Sequence, residues 1–196
     1  MSTDSGLIDG DGVPENGRPE PRDLVAVAAT VAHALSPFVD AGWSVRAGSL
    51  EWDVERTVSH MIGACAKYTL YLASHSHTFI ALTWSRFDDA TQAELVDSIR
   101  PVAEGLANVA SWAPADWRGY HVSGTRDAAG FVALACEELL IHTHDALEGL
   151  GGEFEPLDAL ARTVLRASYP NTVAGGDAWS ALLQASGRRA PRLRSR

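Results

Sequence analysis

The sequence predicts an all-α protein, a four-helix bundle with short C-terminal helices, on three observations. Four long stretches carry apolar residues at helical spacing, capping residues or Gly/Pro clusters bound them, and no stretch alternates with the period of two that a strand requires. No repeat of fixed period appears. The 196 residues, 46% of them hydrophobic, suffice to fill one core, so a single folded domain is expected.

Residues 1–21 are rich in Gly, Pro, Asp and Glu and carry little apolar surface to bury, which predicts a disordered N-terminal segment ahead of a helical domain over 22–187. Leu24, Val27, Ala28, Val31 and Leu35 give a first helix from Asp23 to about Val39, with Gly42 beyond its end. Asp53 reads as the N-cap of a second helix reaching about Ser74, whose stripe is Val54, Val58, Met61, Ile62, Cys65 and Leu72. A third helix is expected from a cap at Asp88 or Asp89 to about Ala110, with Leu95, Ile99, Val102, Leu106 and Val109 inward and a kink at Pro101. Ser111 to Arg126 holds two Trp, a Pro and two Gly and reads as a loop. The fourth helix runs from about Asp127 to Leu147, where Gly149, Gly151 and Gly152 stop it. Leu157 to Ala167 and Ala178 to Ala185 follow as two shorter helices. Arg188, Arg189, Arg192, Arg194 and Arg196 make residues 188–196 a basic, flexible tail.

A net charge of -9 argues against a nucleic-acid backbone or an anionic membrane surface as the partner. No run approaches the roughly 20 apolar residues of a membrane span, and the N-terminus lacks the basic and apolar regions of a secretion signal. Cys65 and Cys136 match neither a zinc knuckle nor a redox pair and read as small buried hydrophobes. A soluble, cytoplasmic protein is the expectation. Exposed bundle faces are compatible with a homodimer, which nothing in the pattern decides.

Chemistry concentrates on the fourth helix. Phe131, Ala135, Glu138, His142 and Ala146 share its inward side, with Asp145 on the flank, while Glu137, His144 and Glu148 fall opposite, which makes His144 a solvent-facing residue. A carboxylate on an apolar face must neutralise, pair or bind a metal. Glu138 and His142, at i and i+4, point toward one place in the interior and read as half of a metal site whose third ligand comes from another helix. His60, on the flank of the second helix near Thr57 and Ala64, is one candidate. The competing reading is a buried pair bonded to each other or to Asp145. His33 reads as a surface or half-buried structural residue, His75 and His77 as a helix end, and His121 as a residue of the loop that feeds the fourth helix, with a place over a pocket as one alternative.

Two of these stretches together resemble a known family. Trp52-Asp-Val-Glu-Arg-Thr-Val-Ser-His60-Met61, with a His eight positions after a Trp, is similar to the opening of the second helix in DinB-like proteins of the mycothiol-dependent maleylpyruvate isomerase N-terminal group. Glu138-Leu-Leu-Ile-His142-Thr-His-Asp145 resembles the Glu-x-x-x-His-x-x-Asp signature in the fourth helix of that group, and the likeness extends from about residue 23 to 187. Val164-Leu-Arg-Ala-Ser-Tyr-Pro170 and Trp179-Ser-Ala-Leu-Leu-Gln-Ala-Ser-Gly-Arg188 are similar to its closing segments. The resemblance implies a DinB-like bundle in which His60, Glu138 and His142 bind a divalent metal. The isomerases proper carry a further catalytic domain, and this sequence ends at Arg196 without it, so maleylpyruvate itself is not the expected substrate.

Two His and one Glu leave a coordination position open, the pattern of a catalytic zinc site, though nickel or iron suits the same donors. A divalent ion acidifies a thiol as it does water. The leading expectation is therefore a thiol-dependent S-transferase or isomerase acting on a small electrophile through a metal-activated thiolate, with mycothiol as the type of cosubstrate. The alternatives are a non-catalytic metal- or ligand-binding regulatory bundle and a metal-dependent hydrolase. Asp145 is either a residue that orients His142 or a helix-end group, and Asp145 and His121 are the candidate bases for hydrolysis.

Overall fold

The computed structural model describes residues 17–81, 90–172 and 176–188, and over these the chain is all-helical. The helices are α1 (Pro21–Leu35), α2 (Val54–Ala73), α3 (Gln92–Trp112), α4 (Ala128–Gly149), α5 (Asp158–Ser168) and α6 (Ala178–Ala185). Isolated antiparallel bridges, Arg46 with Asp53 and Gly119 with Arg126, pin the loops that lead into α2 and α4. Among the described residues no helix is long and apolar enough to cross a membrane.

Local chemistry sets the helix ends. Pro21 occupies the first position of α1, where its missing N–H would have had no partner, and Asp23 Oδ2 accepts the Glu20 N–H at 2.7 Å. The spacing predicts α1 to run to about Val39, but it stops at Leu35. Pro37 cannot donate to the helical ladder, and Ser36–Phe38 tightens into a 3-10 turn. Asp53 caps α2 as expected, accepting the Arg56 N–H at 2.9 Å. Asp88 and Asp89, the predicted caps of α3, lie outside the described residues. Thr91 caps that helix instead, through a reciprocal pair in which Thr91 Oγ1 accepts the Glu94 N–H and Glu94 Oε2 accepts the Thr91 N–H. Pro101 sits inside α3 at an exposed position, and Asp97, whose carbonyl loses its usual helical donor there, is exposed as well. Asp127 caps α4 through the Gly130 N–H at 2.7 Å, and both Arg18 guanidinium nitrogens hold the same carboxylate.

Helix α1 packs against α3 and α4, and α2 packs against the same two helices, which brings α2 and α4 side by side. Leu24, Val31, Met61, Leu72, Ile99, Leu106, Phe131 and Leu139 fill the space between them and are essentially inaccessible to water. At roughly 1.5–3 kcal/mol for each large apolar side chain, this burial dominates the stability of the fold. Helix α5 rests on α4 and pairs with α6.

This C-terminal pair overturns one expectation. His144, predicted to face solvent, is half-buried and meets the Trp179 ring edge-on at 5.8 Å, while Tyr169 donates to Glu137 Oε1 at 2.6 Å on the same side of α4. Cys136, Leu140 and Leu147 form a second buried sector of α4, so the helix is covered on most sides and a single apolar stripe understates its burial. A second departure concerns the basic tail: Arg188 is fastened to α4, and Arg189 to Arg196 lie outside the described residues.

Cys65 and Cys136 are buried free thiols. Burial, helped by the Glu138 charge, pushes the Cys65 thiol up to about 12, and burial raises Cys136 well above its usual value. Neither presents a thiolate to solvent. A thiol-labelling reagent at about pH 8 is therefore expected to modify neither cysteine in the folded protein and both after unfolding in denaturant. Rapid labelling of the native chain, read by intact mass, would contradict this burial.

Candidate metal centre

The side-by-side packing of α2 and α4 brings three donors together. His60 projects from the second turn of α2, and Glu138 and His142 project one turn apart from the middle of α4. Glu138 Oε2 stands 3.2 Å from His60 Nε2 and 3.2 Å from His142 Nε2. All three ligand atoms fall within 4.8 Å of one another. Donors on a tetrahedral ion with bonds of about 2.0–2.1 Å are spaced by roughly 3.3 Å, so the two short separations fit such an ion with little rearrangement. Among the described residues this is the one cluster of His, Cys, Asp and Glu side chains with that property.

The residues around the donors set their protonation. Burial alone would raise the Glu138 carboxyl, but hydrogen bonds and charge from His142 and His60 outweigh it and hold the group ionised, well below the usual carboxylate range. Tyr68, also on α2, donates to the other oxygen, Oε1, at 3.1 Å, leaving Oε2 turned toward the two imidazoles. Burial and the Glu138 charge raise the Tyr68 hydroxyl far above its normal value, so it stays a donor. On the far side of His142, Nδ1 donates to Asp145 Oδ2 at 3.1 Å. Asp145 is fully buried and also receives Arg188. A carboxylate can only accept, so Nδ1 carries the proton and Nε2 is the nitrogen left to face the donor cluster.

Trp52 closes one side, its ring centroid 5.0 Å from that of His60 and 6.4 Å from that of His142, with the Arg56 guanidinium 4.7 Å above it. The turn before α2 delivers it there: Ala47 N–H donates to Trp52 O, and Val54 N–H donates to Val45 O. A cavity of about 620 Å³ runs from Trp52 along α2 past Gly63 and Ala64 toward Tyr68, Lys67 and His121, with Glu138 in its wall. Gly63 and Ala64 are the small neighbours that let this space exist.

Of the residues the sequence singles out, His60, Glu138, His142 and Asp145 form one connected group. His121 lines the cavity, its ring 5.8 Å from Tyr68, and its Nδ1 accepts the Ser123 N–H at 3.3 Å. Burial and the Arg126 charge lower its pKa, so the neutral ring keeps its proton on Nε2. His33 is exposed. His75 stacks on Trp117 and meets the His77 ring edge-on, in a separate cluster. Sequence reasoning missed Tyr68 and Arg188. Tyr68 lies two turns beyond His60 on the same helix, and a hydroxyl at that spacing was the available signal. Arg188 had none beyond the need of a buried Asp145 for a cation. Comparison with protein-family models, curated proteins and solved structures finds no match, so the centre rests on the chain's own residues.

Proposed function

We propose that this chain is a divalent-metal enzyme with a DinB-like four-helix bundle, as its resemblance to the maleylpyruvate isomerase N-terminal group implies, and that it adds or transfers a low-molecular-weight thiol onto a small electrophile. The observation that carries the reading is the convergence of His60, Glu138 and His142, the first two of which line a cavity of about 620 Å³. His60 Nε2, a Glu138 oxygen and His142 Nε2 would hold the ion, with zinc the first choice for two imidazoles and a carboxylate. When bound, the ion supplies Lewis acidity that makes a thiol a better nucleophile at neutral pH.

The remaining residues have roles that follow from their bonds. Trp52 offers an apolar wall beside His60, and Tyr68 fixes the Glu138 carboxylate. His121, with Nδ1 already engaged, keeps an Nε2–H to donate to a substrate oxygen. The same constraints weigh against hydrolysis, which needs a base free to take a proton from water. Asp145 has no exposed surface and is shared between His142 and Arg188, and His121 offers a donor where a base would need an acceptor.

The test is metal analysis of protein purified without chelator, followed by thiol-consumption assays against a panel of activated alkenes and aryl halides. About one divalent ion per chain is expected, with thiol consumption that a chelator abolishes and zinc restores. Metal without thiol-stimulated turnover would remove the transferase reading and favour a non-catalytic metal-binding bundle.

A further inference from the structure

We infer that Arg188 is a positioning residue for His142, so that the C-terminal end of α6 forms part of the metal centre. The inference rests on the metal-site reading above and adds to it a residue some 40 positions away in the chain. Asp145 is fully buried, and its two oxygens are divided between two partners. Oδ2 accepts from His142 Nδ1 at 3.1 Å and from Arg188 Nη2 at 2.7 Å, while Oδ1 accepts from Arg188 Nε at 3.2 Å. The guanidinium thus grips both carboxylate oxygens, which sets the plane of the carboxylate as well as neutralising it. With that plane set, the direction in which Oδ2 accepts the His142 proton is set too, and so is the ring orientation that turns Nε2 toward Glu138.

Arg188 is itself placed by the end of α6. Gly187 takes the left-handed conformation, φ +80°, its N–H donates to Gln184 O, and the Arg188 N–H donates to Leu183 O. That is the paired bonding of a Schellman motif, in which the second residue past the cap has a defined position. Arg188 Nη1 also donates to Ser186 O at 2.9 Å, so the side chain is held at both ends. A chain of contacts therefore runs from the α6 terminus through Arg188 and Asp145 to His142. Because a lysine ammonium cannot bind both oxygens in one plane, charge and orientation can be separated by substitution.

The experiment is a competitive zinc titration against a chromophoric chelator, using the full chain and its Arg188→Ala and Arg188→Lys variants, with circular dichroism and thermal melting of each metal-free protein. Zinc affinity is expected to fall about 10- to 100-fold in Arg188→Ala. Arg188→Lys should recover the metal-free melting temperature more fully than it recovers zinc affinity. Zinc affinity within twofold of the parent in a folded Arg188→Ala protein would overturn the inference and leave the metal site standing. Failure of the parent chain to bind zinc would overturn both.

Discussion

Replacing His142 with alanine at the proposed metal centre is expected to weaken zinc binding by more than about 100-fold and to yield purified protein with no divalent ion. The size follows from what lesser changes cost: residues that merely orient a ligand are worth about 10- to 100-fold in affinity, and His142 would supply a bond to the metal itself. His60→Ala should behave in the same way, because its Nε2 is one of the two nitrogens 3.2 Å from Glu138 Oε2. His33→Ala, at an exposed position of α1, serves as the control and should bind zinc as the parent does. Elemental analysis and chelator competition read the result, and a His142→Ala protein retaining its metal would remove His142 from the centre. The pH dependence of the parent gives a second readout. Burial opposes the imidazolium of His142, yet Asp145 and Glu138 outweigh it and raise the metal-free pKa from 6.5 to about 9. A raised folded pKa means that protonation stabilises the metal-free fold fully below about 6.5, and that this contribution is lost as pH rises through about 9. Zinc must displace that proton from Nε2. Its affinity should therefore climb between about pH 6.5 and 8.5, by at most tenfold per unit for one proton released.

The legible parts of this centre were those that one helix encodes by itself. Glu138 and His142 share a face because they are four residues apart, and Asp145 follows His142 by nearly a turn, so helical geometry alone groups them on α4. His60 was visible only as a residue on the flank of α2. What joins it to the others is the packing of α2 on α4, which periodicity does not report. The reading of His144 failed for the related reason that a helical wheel assumes one solvent side, whereas α4 is wrapped by α5 and α6 as well as by the other long helices. Arg188 was hidden most deeply. Its role depends on a left-handed Gly187 turning the chain back toward Asp145, and composition alone makes Arg188 one more arginine in a basic terminus. Helix boundaries were least accurate where a second signal competed: Pro37 ended α1 ahead of Gly42, and the Thr91/Glu94 capping pair started α3 after the aspartates.

Two glycine-to-alanine substitutions within helices are expected to have opposite signs. Alanine is the better helix former by about 1 kcal/mol, so the substitution stabilises wherever a methyl group has room. At Gly105 in α3 a Cβ would meet nothing within 4 Å, and Gly105→Ala should raise the melting temperature by roughly 2–4 °C. At Gly149, the last residue of α4, a Cβ would collide with the Arg46 carbonyl oxygen and stand 3.1 Å from Ala47 Cα. Those are backbone atoms of a turn that cannot yield cheaply. The Arg46–Asp53 bridge closes it, the Ala47 N–H bonds to Trp52 O, and Ala47 is fully buried. Overpacking of this kind costs about 1–3 kcal/mol, and a clash with fixed backbone lies at the upper end, which exceeds the propensity gain. Gly149→Ala should therefore lose roughly 2 kcal/mol and melt about 4–8 °C below the parent. The turn also carries Trp52 and the Asp53 cap, so the strain reaches the cavity wall beside His60. A Gly149→Ala protein melting at or above the parent temperature would show that the end of α4 and the turn before α2 do not approach each other this closely.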